Sequence, residues 1–247
     1  MKGFAVPTEN PRRAKMAIDP KMVFMDERLR LNSCVYCGGN PETREHVPPK
    51  IFLDRPHPED LYVISACRKC NNSKSSEEEY LSCLLECIVC GTTDISGLER
   101  EKIKKALLHS PKLQSKIEAA KQITSNSIIW AFDQDRVNDL AIKLAQGHMA
   151  YEAFAMGEEP AQVYINPLCT LPTDMQDLFG FEDSYTEMDV WPEIGSRGFL
   201  RALVAGESAF SSSWIDVQPN RYRYKIIQPS AVAIVIREYL GIYVAWE

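Results

Sequence analysis

The amino-acid sequence predicts an α+β protein made of a small metal-clipped module, a helical segment and an antiparallel β-meander. Three observations predict it. Two Cys-x-x-Cys pairs, Cys34/Cys37 and Cys67/Cys70, are separated by 29 residues, the spacing of two zinc knuckles whose thiolates converge on one tetrahedral Zn²⁺. Apolar residues recur at helical spacing through residues 77–156. From residue 162 onward they alternate with polar ones, as in strands.

Residues 1–30 are rich in Pro, Lys and Arg with few periodic apolar positions, which predicts an irregular basic arm. Residues 31–125 hold the clipped module and the helices that follow it. Residues 34–49 read as knuckle and hairpin, and Pro48, Pro49, Pro56 and Pro58 make the next stretch a loop. Asn71 to Lys74 opens a helix. Ser75 and Ser76, three residues before Glu78 and Glu79, have capping-box spacing and predict a longer helix over 77–89. Cys83, Cys87 and Cys90 recur along that helix. Side chains a turn apart stand about 5–6 Å from one another at Cβ and converge poorly on one ion, so these three read as core. Residues 99–109 and 112–124 read as two helices divided by Pro111.

Residues 126–247 read as an α+β carboxyl-terminal domain suited to recognition or to docking a partner. Its helix, 136–156, carries Val137, Leu140, Ala141, Leu144, His148 and Tyr151 on one face, which makes His148 a core or interface histidine. His109 falls near a helix end and His57 in a loop between two prolines, where a histidine is ordinarily just solvated. Strands are predicted over 163–167, 214–218, 221–227, 231–237 and 242–246, separated by Pro-Asn, Pro-Ser and Leu-Gly. In 221–225 basic and aromatic residues alternate, which predicts buried tyrosines with Arg and Lys in water; a base-stacking strand is the alternative.

The formal net charge is −6, unevenly spread. Residues 1–75 hold 13 Lys/Arg against 9 Asp/Glu, and residues 76–247 hold 15 against 25. The basic excess lies with the cysteine module, where Arg12, Arg13, Lys15, Arg28, Arg30, Lys50, Arg68, Lys69 and Lys74 are candidates to track phosphates, about half of them in contact. No segment reaches the ~18 uninterrupted apolar residues of a membrane span, and the first residues lack the pattern of a cleaved leader. A cytoplasmic protein is expected, without a membrane partner.

Glu45-His46 between the knuckles and Cys70-Asn71-x-x-Lys74 after them resemble the HNH endonuclease family, over roughly residues 30 to 80. The resemblance implies a ββα-metal fold, with the acidic-His pair on a hairpin and the Asn on the next helix. It implies His46 as the general base that activates water, and Glu45 and Asn71 as protein ligands of a catalytic Mg²⁺ or Mn²⁺. The zinc at Cys34, Cys37, Cys67 and Cys70 would then be structural, because a four-thiolate site keeps no position open for water or phosphate. Lys74 and Lys50 are expected to contact the substrate phosphate. The middle Asn of the family, which orients the histidine, falls here on Tyr62, leaving Asp60 or a backbone carbonyl for that role.

The resemblance implies hydrolysis of DNA phosphodiesters, with RNA left open, in antiviral defence, restriction or a mobile element of bacteria or phages. Two rivals remain at this stage: a non-catalytic zinc module that binds nucleic acid or protein, and a nuclease subunit active only with a protein partner docked on its acidic second half.

Overall fold

The computed structural model of the chain describes residues 33–123, 128–152, 161–180, 214–227 and 231–246. The expected basic arm and the last turn of the 136–156 helix lie outside the described residues.

The cysteine module is a hairpin followed by a helix. Strands β1 (Thr43–His46) and β2 (Val63–Ala66) pair antiparallel, with His46 opposite Val63 and Thr43 opposite Ala66. The proline-rich stretch between them is a loop containing one 3₁₀ turn, Lys50–Phe52. Helix α1 (Arg68–Asn72) follows β2 directly, and α2 (Ser75–Val89) continues from it. The capping box does not form. Ser75 and Ser76 lie inside the first turn of α2, where Ser75 Oγ donates back to Asn72 O at 2.9 Å. The helix starts at Ser75 itself, with Lys74 in the cap position, so the serines stand inside it rather than before it. At its other end α2 stops at Gly91, whose φ of +67° suits a residue without Cβ. There Thr92 N–H donates to Cys87 O and Gly91 N–H to Ile88 O, a Schellman closure.

Helices α3 (Glu101–His109) and α4 (Pro111–Ala120) are divided at Pro111, which takes the first position of α4 where its missing N–H costs nothing. The helix expected to reach residue 124 ends at Ala120. Lys121–Ile123 instead forms β3 and pairs with β4 (Ile128–Trp130), consistent with the β-branched residues at Ile123, Ile128 and Ile129. Helix α5 (Gln134–Glu152) buries the face its periodicity predicts, from Val137 through His148 to Tyr151.

Strands β5 (Ala161–Pro167), β6 (Ile215–Gln218), β7 (Tyr222–Ile227), β8 (Ala231–Ile236) and β9 (Leu240–Trp246) form one antiparallel sheet in the order β5-β9-β8-β7-β6. The middle strand, β8, is buried throughout, which explains its uninterrupted apolar sequence. Val232, Ile234 and Ile236 enter the main core shared with α2, α3 and α5. Ala233 and Val235 enter a second core with Leu171, Trp214 and Phe179, the last residue of α6 (Thr173–Phe179). Cys83 and Cys87 belong to the main core, as expected. In β7 the tyrosines are buried as expected, but Arg223 is not in water. It is 1% exposed, lies 4.1 Å from the Trp214 ring and pairs with Glu238 at 3.1 Å. The sheet has packing on both faces, so period-two alternation leaves no strand face for solvent here.

Ion pairs fix the long loop of the module onto the rest. The Arg100 guanidinium donates to Ile51 O and Leu53 O at 2.8 Å each and pairs with Asp54 at 2.8 Å. Glu86, 1% exposed, accepts from the backbone N–H of Glu99 and Arg100 at 3.0 and 2.8 Å. It also lies 3.0 Å from Arg237 Nη1, a charge contact rather than an aligned hydrogen bond. Glu86→Ala is expected to destabilise the protein by about 3–5 kcal/mol, because it leaves a buried guanidinium and two backbone donors without their carboxylate. Urea unfolding of the two proteins measures the difference.

Candidate functional site

The four cysteines of the two knuckles come together as the spacing predicts. Their sulfurs lie within 4.8 Å of one another, with Cys37 and Cys67 3.8 Å apart. Zn–S bonds of about 2.3 Å in a regular tetrahedron put the sulfurs about 3.8 Å apart, so this cluster could hold a metal ion such as zinc. The first knuckle closes through Cys34 N–H to Gly39 O at 2.7 Å and Gly38 N–H to Cys34 O at 2.8 Å, with Gly38 at φ +69°. The second closes at the start of α1, where Cys67 Sγ accepts from Cys70 N–H at 3.3 Å. Burial pushes the Cys34 thiol up, but hydrogen bonds from the backbone around Cys67, Tyr36 and Cys37 outweigh it and bring it down to about 7. Burial and the crowding of the other sulfurs push Cys70 upward. Metal binding requires the cysteines as thiolates, so a bound cation would favour their deprotonated form.

Glu45 and His46 are consecutive in β1, and successive side chains of a strand point to opposite faces. Glu45 is 5% exposed, whereas His46 is half-buried at the end of the strand. Asn71, on α1, reaches the same strand: its Nδ2 donates to Thr43 Oγ1 at 3.0 Å and to Arg44 O at 3.4 Å. The structure thus brings Asn71 beside the residue preceding the Glu45-His46 pair. Tyr62, in the place of the family's middle Asn, turns into the core. Its hydroxyl meets His148 Nδ1 at 2.9 Å, and its carbonyl accepts from Val47 N–H at 3.2 Å. His148 Nε2 meets the Tyr222 hydroxyl, also at 2.9 Å, so this fully buried histidine joins module and sheet.

Three residues given no site role in the sequence surround Glu45. Lys143, on α5 and 6% exposed, puts its ammonium 2.7 Å from Glu45 Oε1, 3.2 Å from Glu78 Oε1 and 3.0 Å from Asn71 O. Tyr36 is also a polar neighbour of Glu45. Burial raises the Glu45 carboxyl to about 7 against the opposing pull of Lys143, and burial raises Glu78 in the same direction. Glu45 Oε2 is buried without a hydrogen-bond partner. The donors here are hard oxygens, the kind Mg²⁺ and Mn²⁺ prefer, and the orphaned oxygen suits a cation. Only a lysine at the margin of an apolar helical stripe hinted at this cluster.

The two candidate phosphate contacts are placed differently. Lys74 pairs with Asp139 at 2.5 Å, while Lys50 is exposed. Lys50, Arg55 and Lys102 are positive neighbours of His57, whose imidazole burial and these charges hold below its usual range. Helix α5 approaches the hairpin closely at Gly147, where a Cβ would stand 3.2 Å from Val47 Cγ2 and 3.4 Å from the Tyr36 hydroxyl. No helix among the described residues is long and apolar enough to cross a membrane. Neither protein-family models, nor curated proteins, nor solved structures give a match to this chain.

Proposed function

We propose that the chain is a metal-dependent endonuclease of the HNH kind that hydrolyses DNA phosphodiester bonds. The observation that carries this reading is the hydrogen bonding of Asn71 to β1, which holds the helix of the motif against the strand bearing Glu45 and His46 on a four-cysteine scaffold. His46 takes the proton of the attacking water, the role a neutral imidazole commonly fills. Glu45 and Asn71 would hold the catalytic Mg²⁺ or Mn²⁺, which would supply neutralisation of developing phosphate charge. Lys50, exposed beside Arg55 and Lys102, offers positive charge to a nucleic-acid backbone. Zinc at the cysteines holds the hairpin to the helix and takes no part in the chemistry. None of the eight cysteines is in a disulfide, which suits a reducing compartment such as the cytoplasm. By analogy, the setting would be restriction, antiviral defence or a mobile element.

The pairing of Glu45 with Lys143 favours a second form of this reading, a nuclease subunit quiescent until a protein partner engages its carboxyl-terminal part. Supercoiled plasmid incubated with zinc-loaded protein across a titration of Mg²⁺ or Mn²⁺ tests the proposal. Nicking that requires the added ion, stops with chelator and falls steeply with salt is the expected result. A zinc-loaded, folded protein that binds plasmid but cuts it at no ion concentration would favour the non-catalytic module.

A further inference from the structure

We propose that Lys143 is a tethered cation occupying an oxygen cage formed by Glu45, Glu78 and the Asn71 carbonyl, and that a divalent ion enters this cage, with Glu78 as an added ligand, only by displacing it. The proposal rests on the nuclease reading for its purpose, not for its geometry. The ammonium donates to Asn71 O at 3.0 Å and to Glu78 Oε1 at 3.2 Å, and it lies 2.7 Å from Glu45 Oε1 as a close charge contact. Two carboxylates and a backbone carbonyl are an ordinary partial ligand set for Mg²⁺ or Mn²⁺. Two carboxylates against one ammonium leave the cage one negative charge in excess when all are ionised. Glu45 Oε2 is buried without a hydrogen-bond partner, in a side chain 5% exposed, so the lysine leaves the cage incompletely satisfied. A compact ion with charge +2 would answer both deficits; a single ammonium answers neither.

Access and mobility are built in on one side. A cleft of about 190 Å³ runs between α1 and α5, lined by Tyr36, Cys70, Lys74, Asp139 and Gln146 with Lys143 itself. A lysine stem carries several rotatable bonds, so the ammonium can swing into this cleft, where the Asp139 carboxylate, 61% exposed and already paired with Lys74, can be shared. The backbone of α5 need not move. Glu78 lies on α2, one helix beyond the motif, so neither the motif residues nor their spacing assign it a role.

Binding of Mn²⁺ to the zinc-loaded full chain, read as loss of the free-ion electron paramagnetic resonance signal, tests this without reference to cleavage. Lys143→Met is expected to bind one Mn²⁺ more than about tenfold tighter than wild type, because a positive charge about 4 Å from the ion is removed. Adding Glu78→Gln to that variant is expected to remove most of the gain. Lys143→Gln, which keeps a polar head, is expected to behave as Lys143→Met does. A folded Lys143→Met with wild-type Mn²⁺ affinity would overturn the proposal, as would a gain that survives Glu78→Gln. If both lysine variants are unfolded without the ammonium, millimolar Mn²⁺ should restore their circular dichroism, and failure to do so would count equally against it. Tightened Mn²⁺ binding with no plasmid nicking by any variant would leave the cage standing and remove the nuclease reading. Nicking by wild type with no Lys143 effect on Mn²⁺ would do the reverse.

Discussion

Cys67→Ser is expected to release the bound metal and unfold the hairpin-helix module together. The substitution removes one of four converging sulfurs, while the serine hydroxyl can still accept from Cys70 N–H at the start of α1, so any loss of fold follows from the metal. Zinc binding in small modules is worth roughly 10–16 kcal/mol of apparent folding free energy near neutral pH, far more than a four-residue-strand hairpin can supply by packing. Elemental analysis of the purified variant, beside circular dichroism and limited proteolysis of the module, measures both losses. A wild-type protein that is folded and zinc-free would contradict the structural role of the metal. Cys83→Ser, in the main core and away from the cluster, is the control: it should cost stability and leave metal content unchanged.

His46→Ala is expected to lower the nicking rate by about 10²- to 10⁴-fold, the usual worth of a positioned general base, with zinc content and fold intact. Asn71→Ala should differ in two ways. Its Nδ2 bonds to Thr43 and Arg44 are lost, which should lower stability by about 1 kcal/mol per bond. Its activity should recover in part as Mg²⁺ or Mn²⁺ is raised, since a ligand is missing rather than the base. No ion concentration should rescue His46→Ala. Rates across a metal titration for the three proteins decide the matter, and wild-type cleavage by His46→Ala would eliminate the mechanism.

The parts legible in the sequence are those set by near neighbours. The knuckles depend on sulfurs three residues apart, the buried face of α5 on a period of 3.6, and the meander on turn residues between apolar runs; all three are present as predicted. The misjudged parts depend on context. Ser75 and Ser76 have the right spacing for a cap, but Lys74 takes the cap position and the serines stand in the first turn. Ala120 ends a helix whose pattern would continue, because the next residues find a strand partner in Ile128–Trp130. Arg223 is buried because both sheet faces are covered. The surroundings of Glu45 were the least legible. A carboxylate in a hairpin and an ammonium on a distant helix leave no periodic trace, and only the fold brings Lys143 to Glu45.

Helix α5 meets the hairpin at two places one turn apart, through the Lys143 ammonium and through the bare Cα of Gly147 against Val47, the residue after His46. Its opposite flank packs on the sheet, with His148 held against Tyr222 and Tyr224. The helix therefore stands between the sheet and the hairpin, in contact with both. The second half of the chain thus touches the module on both sides of His46, at Glu45 by charge and at Val47 by contact.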